Sequence, residues 1–132
     1  MLLEKKVWLS LLLSLPLFAA GCGSDRPSST ESRAHADLRE IHEIYALFIK
    51  QHQKPPTQMS DLTQRQYEGV YPATIQRMQQ GKYVIVWGVT EQDSRTLLAY
   101  EKDAPTQGGG VLMADGTVKD VTADEFKANY KP

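Results

Sequence analysis

The chain has a single thiol, Cys22. One cysteine closes no internal disulfide and cannot build a structural zinc site, which needs four ligands. Clustered positive charge is missing too. Lys and Arg number 15 against 16 Asp and Glu, for a formal charge of −1. That balance excludes the basic surface that nucleic-acid recognition requires. No apolar run reaches the about 20 residues a membrane-spanning helix needs. The three histidines, His35, His42 and His52, never fall at the i, i+4 spacing of helical zinc ligands. Gly108 to Gly110 is followed by neither Lys-Ser nor Lys-Thr, so it is no phosphate loop. No nucleophile-elbow motif and no internal repeat occur. The composition, 41% apolar and 23% charged, is that of one small globular domain with a targeting segment.

What the chain does have begins at its start. Lys5 and Lys6 form a positive region, and VWLSLLLSLPLFAA, residues 7–20, is an apolar stretch of 14 residues. Such a stretch is too short to span a bilayer comfortably, and Pro16 breaks a helix near its end. Ala19, Ala20 and Gly21 offer the small side chains that a signal peptidase accepts. Residues 1–21 therefore read as a secretory signal, with cleavage between Gly21 and Cys22. Small residues followed at once by cysteine resemble a bacterial lipobox, although Ala19 stands where leucine is commonest. The resemblance implies that Cys22 is the first mature residue and the point of lipid attachment. The alternatives are an ordinary signal peptide with a chance cysteine, or an uncleaved anchor. A lipid on Cys22 would hold the protein to a membrane on its extracytoplasmic side, because each buried methylene contributes roughly 0.8 kcal/mol. Cleavage would leave 111 of the 132 residues and a formal charge of −2, since Glu4, Lys5 and Lys6 depart with the leader.

Residues 22–32 follow, almost all Gly, Ser, Asp, Arg and Pro after the cysteine. They read as a flexible tether, because they cannot bury enough surface to offset the cost of ordering. The alternative is an extended helix start capped by Ser28 and Glu31. The folded domain is expected over 33–132. From Ala34 to His52, the residues Ala34, Leu38, Ile41, Tyr45, Phe48 and His52 recur at steps of three and four. That spacing is one face of a helix, widened by Ile44 and Leu47, and Pro55 and Pro56 end it. Ser60 to Leu62 reads as a short serine-capped turn. Pro72 opens a second helix through Gln80, stopped by Gly81, with Ile75 and Met78 buried.

The period then changes. Residues 82–90 predict a strand buried on both faces and hence central. A turn at 91–94 leads to a second strand over 95–102, in an antiparallel hairpin. A loop, DAPTQGGG, precedes a third strand over 111–114. Asp115-Gly116 is a hairpin turn, and 117–121 returns as a fourth strand. Thr122 and Glu125 form a capping box for a last helical turn or two. The expected fold is α+β: a long N-terminal helix packed on an antiparallel sheet of about four strands.

The stretches LREIHEIYALFIKQHQKPPTQMSDL, GKYVIVWGV, LLAYEKDAP and GGGVLMADGTVKDVTADEF together resemble the helix and C-terminal sheet of type II secretion pseudopilins and related bacterial proteins. The resemblance spans roughly 34–127. It implies a role in a type II secretion-like assembly. Two departures qualify that implication. A lipobox and polar tether stand where the relatives carry a prepilin leader and a fibre-forming helix. Pro105 stands where the family has a histidine, ten residues before the Asp-Gly aspartate.

The remaining polar residues carry little chemistry. His35 and His42 are two turns apart, too far for both to bind one ion directly, so they read as ordinary helix histidines. Asp115 and Asp120 flank a glycine turn but lack the alternating oxygen ligands of a calcium loop. No metal and no cofactor are expected. Trp87 and Tyr100 are candidates for a binding surface, against the alternative that they are core or cross-strand pairs. The sequence thus points to a lipid-anchored envelope protein acting as a non-catalytic binding module, on another envelope or secretion protein. A small periplasmic ligand binder or hydrolase is the alternative of a different class.

Overall fold

The computed structural model describes residues 29–130. The expected leader at 1–21, the expected cleavage point, Cys22 and residues 23–28 lie outside the described residues. Helix α1 spans Ser29–His52. It therefore starts inside the stretch expected to be tether: once a long amphipathic helix is nucleated, each further residue costs little to add. Its stripe is buried as the spacing predicts, with Leu38, Ile41 and Ile44 fully excluded from solvent and Tyr45 and Phe48 nearly so. Two expected members of the stripe differ. Leu47 is 38% exposed. His52 is exposed, its ring 4.3 Å from that of Phe48. The helix ends where Gln53 takes a left-handed φ of 56° and donates its backbone N–H to Ile49.

Three short helices follow: α2 (Met59–Leu62), α3 (Arg65–Glu68) and α4 (Pro72–Gln79). They bring Leu62, Tyr67, Ile75 and Met78 into the core beside α1. Pro72 opens α4, and Gly81, at a φ of 74°, follows its end, both as expected. The short turn at Ser60 is capped differently from the expectation: the Asp61 carboxylate, not a serine, accepts the Thr57 N–H at 2.9 Å.

The sheet is an antiparallel meander in the order β1-β2-β3-β4, made of Tyr83–Ile85, Leu97–Glu101, Gly109–Met113 and Val118–Val121. This is the expected α+β architecture with four strands. The first strand is not central, however. It is three residues long and lies at the edge. After the Val86 N–H bonds Leu98 at 2.8 Å, the backbone leaves the ladder: the Gly88 N–H goes to the Pro56 carbonyl and the Val89 N–H to the Tyr45 hydroxyl. Gly88, at a φ of 72°, makes the departure possible. The high burial read from residues 82–90 thus comes from packing on α1, not from two flanking strands. In the connection that follows, the Asp93 carboxylate caps the Arg95 and Thr96 N–H groups at 2.9 and 2.7 Å.

The expected loop before the third strand holds a short helix, α5 (Ala104–Gln107), and gives Gly109 and Gly110 to β3. The backbone runs close to α1 there: a Cβ on Gly110 would sit 2.9 Å from the Leu38 Cδ1, which would have to shift. The Asp115-Gly116 turn is present, with Gly116 at a φ of 92°. The last helix, α6 (Ala123–Asn129), carries the expected capping box: Glu125 N–H to Thr122 Oγ1 at 3.1 Å, and Thr122 N–H to the Glu125 carboxylate at 3.2 Å.

Helices cover both sheet faces. One core lies between α1 and the sheet and includes Ile85, Leu98, Ala99 and Leu112. A smaller core lies under α5 and α6, built on Ala104, Val111, Met113, Val121 and Phe126. A β-bulge sorts the β2 side chains between them. Leu97 pairs with Met113 and Ala99 with Leu112, so two steps on β2 oppose one on β3. Leu97 and Tyr100 consequently both pack with the α6-side core, while Leu98 and Ala99 join the α1-side core.

Gly116 offers a direct check of the hairpin. A Cβ there would meet the His42 ring at 3.0 Å, on top of the left-handed backbone. Gly116→Ala is expected to cost about 1–2 kcal/mol, read as a lower urea midpoint with unchanged slope.

Candidate binding site

The largest of the grooves among the described residues is on the α6 side of the sheet. α5 and α6 are short and pack on each other and over β3, so they leave β1 and β2 largely uncovered on that face. A half-open groove of about 450 Å³ results. Its apolar wall comes from Ile85, Val86, Leu97 and Phe126, and its polar rim from Arg95, Tyr100, Asn129 and Tyr130. The Tyr100 and Phe126 rings meet edge-on at 4.8 Å, and Phe126 and Tyr130 at 5.3 Å. The Tyr130 hydroxyl contacts the Met113 sulfur at 3.7 Å.

Of the two aromatic residues expected to form a surface, Tyr100 lines this groove. Trp87 is half-buried against the α1-side core, so the pair does not share one surface. Arg95, Asn129 and Tyr130 were not singled out by the sequence. The bulge hides the relation between Leu97 and Tyr100, which strict alternation would place on opposite faces.

A second polar feature is buried and structural. Asp37 is 2% exposed. Its carboxylate accepts two bonds from Arg77, from Nε and Nη2, both at 2.5 Å. It also accepts the Tyr83 hydroxyl at 2.6 Å and the Thr74 hydroxyl at 3.0 Å. Thr74 is also hydrogen-bonded to Glu40. Burial alone would raise the Asp37 pKa. The Arg77, Tyr83 and Thr74 bonds, with the Arg77 charge, outweigh it and hold the carboxyl below its ordinary range. Burial first, and the Asp37 carboxylate second, push the Tyr83 phenol well above its ordinary value. The network ties α1 to α4 and β1. Its sequence signal was an aspartate three residues after Ala34 and four before Ile41, on the buried stripe of the helix.

The histidines have structural partners. His35 Nε2 lies 2.8 Å from the Asp120 carboxylate, and the His42 ring packs against Gly116. Asp115 caps its own turn through the Thr117 N–H at 2.9 Å, a bond that lowers its pKa, with His42 adding a smaller effect. The two aspartates beside the hairpin are thus engaged, Asp115 within its own turn and Asp120 with α1 through His35. Among the described residues, no group of three or more His, Cys, Asp and Glu is placed to hold a metal ion. Among them, too, no helix is long and apolar enough to cross a membrane. Comparison with protein families, curated proteins and solved structures returns no match.

The network makes a prediction with a definite sign. Arg77→Met leaves the Asp37 carboxylate buried without its cation, and should cost about 2–4 kcal/mol at pH 7, somewhat discounted because Arg77 is partly exposed. The double variant Asp37→Leu with Arg77→Met should recover most of that loss. In the parent chain the folded-state pKa is depressed, so the contribution is full above the ordinary carboxylate pKa and is lost as pH falls through the folded value. In Arg77→Met the Arg77 bonds and charge are lost while the Tyr83 and Thr74 bonds remain, so the folded pKa lies above the parent's and less stability should be lost as pH drops from 7 towards 4. Urea unfolding across that pH range checks both slopes.

Proposed function

We propose that the protein is lipid-anchored in the cell envelope through Cys22 and acts as a non-catalytic binding module for another envelope protein. The location rests on the sequence: a positive start, a short apolar stretch, and small residues ending at the one cysteine. The binding half rests on one observation, the uncovered stretch of sheet between β1, β2 and α6. An apolar trough rimmed by aromatic and polar side chains is the usual composition of a recognition surface. Membership of a type II secretion-like assembly is the narrower form of the same reading, and the helix-then-meander order supports it at the level of fold class only.

The anchor is tested by Cys22→Ser. The variant should move from the membrane fraction to the soluble fraction and lose lipid label. A variant that fractionates like the parent overturns the anchor.

A further inference from the structure

We infer that the groove between β2 and α6 binds an apolar peptide segment that carries a carboxylate. The inference deepens the binding-module reading and rests on it. The groove is one-sided in its chemistry. Among the described residues, Arg95 is the only charged residue on its lining, and no Asp or Glu lines it. The side chains of Arg95, Tyr100 and Asn129 make no hydrogen bond or salt bridge among the described residues. A guanidinium, a phenol and an amide therefore stand at the rim with donor capacity unspent. Asp93, two residues from Arg95, feels the arginine's charge but makes no hydrogen bond to its guanidinium. Its carboxylate is turned into the loop, where it accepts the Arg95 and Thr96 backbone N–H groups.

The wall between these donors is apolar, with Leu97 and Phe126 at its centre. An apolar ligand without an acceptor would leave the three donors unused. A polar anion without an apolar body would leave the trough filled with water. A ligand with both parts satisfies each, and a carboxylate is the acceptor that an arginine fork fits best. A volume of about 450 Å³ takes a few side chains, not a folded domain. A peptide segment presented by a partner protein meets those terms.

The probe is a fluorescein-labelled tetrapeptide of alternating leucine and valine, made as the free acid and as the C-terminal amide. Binding is followed by fluorescence anisotropy to the full chain as isolated from its host, reconstituted in phosphatidylcholine vesicles, with empty vesicles as blank. The free acid should bind saturably, and about tenfold or more tighter than the amide, as expected for a hydrogen bond to a charged group. Arg95→Gln, an exposed loop change, should abolish the difference between acid and amide while leaving the urea midpoint in place. Tyr100→Phe should weaken the acid about threefold. Equal binding of acid and amide, an acid preference that survives Arg95→Gln, or no saturable binding overturns the inference. Displacement of the peptide by laurate at lower concentration than by unlabelled peptide overturns it in favour of a small amphiphile. The readout does not depend on where the chain resides, so a failed anchor and an empty groove give different results.

Discussion

The apolar stripe of α1 is the constraint that orders the rest of the domain. Leu38, Ile41 and Ile44 are wholly withdrawn from water. Each contributes roughly 1.5–3 kcal/mol by that withdrawal. A helix of this kind owes its persistence mainly to packing, not to the propensity of its residues. The sheet closes the stripe from below, and α2 to α4 close its flank through Leu62, Tyr67, Ile75 and Met78. The one charged residue on the buried face, Asp37, is tolerated because Arg77, Tyr83 and Thr74 satisfy it together. Its partners lie on α4 and at the start of β1, so the network also fixes where the edge strand begins.

Much of this was legible in the residues. The three-and-four spacing after Ala34 gave the long helix, Pro72 and Gly81 bracketed α4, Asp115-Gly116 marked the hairpin, and Thr122 with Glu125 marked the last cap. Each of these is a local signal whose cause lies within a few residues. The misreadings share the opposite property. The stretch 82–90 looks like a central strand because its side chains are apolar, but only the Tyr45 hydroxyl and the Pro56 carbonyl, distant in sequence, show why its backbone leaves the sheet after Val86. Gly109 and Gly110 look like loop, and become strand through pairing with Val121 and Asp120 of β4, distant from them in sequence. The groove was half visible, through Tyr100. Its other members meet only once α6 has folded back over the sheet.

The two faces of the sheet differ in how much apolar mass they hold. The α1 side carries the larger core, with a polar-edged groove at its flank between α1 and residues 89–92. The other side carries a smaller core at one end and leaves the other end open. That asymmetry separates the part of the domain that keeps it folded from the part available to a partner, so changes at the rim of the groove can alter recognition while the main core stays intact. A domain divided in this way suits the proposed role at a membrane, where a moored protein meets its partners within a thin layer of space.

The bulge in β2 has a further consequence. Counting along a regular strand, residues 97 and 100 belong to opposite sides, and only the surplus residue at this point brings them into phase. The aromatic rim is therefore encoded in strand register as much as in side-chain identity. A related chain of the same length whose second strand pairs without the bulge could keep every helix and strand, and nearly the same composition, yet turn its phenol inward and present alanine to the outside. Resemblance of residues alone would then overstate likeness of surface, and the bulge between Leu97 and Ala99 is the feature by which chains sharing this face of the sheet can be told from those sharing only its scaffold.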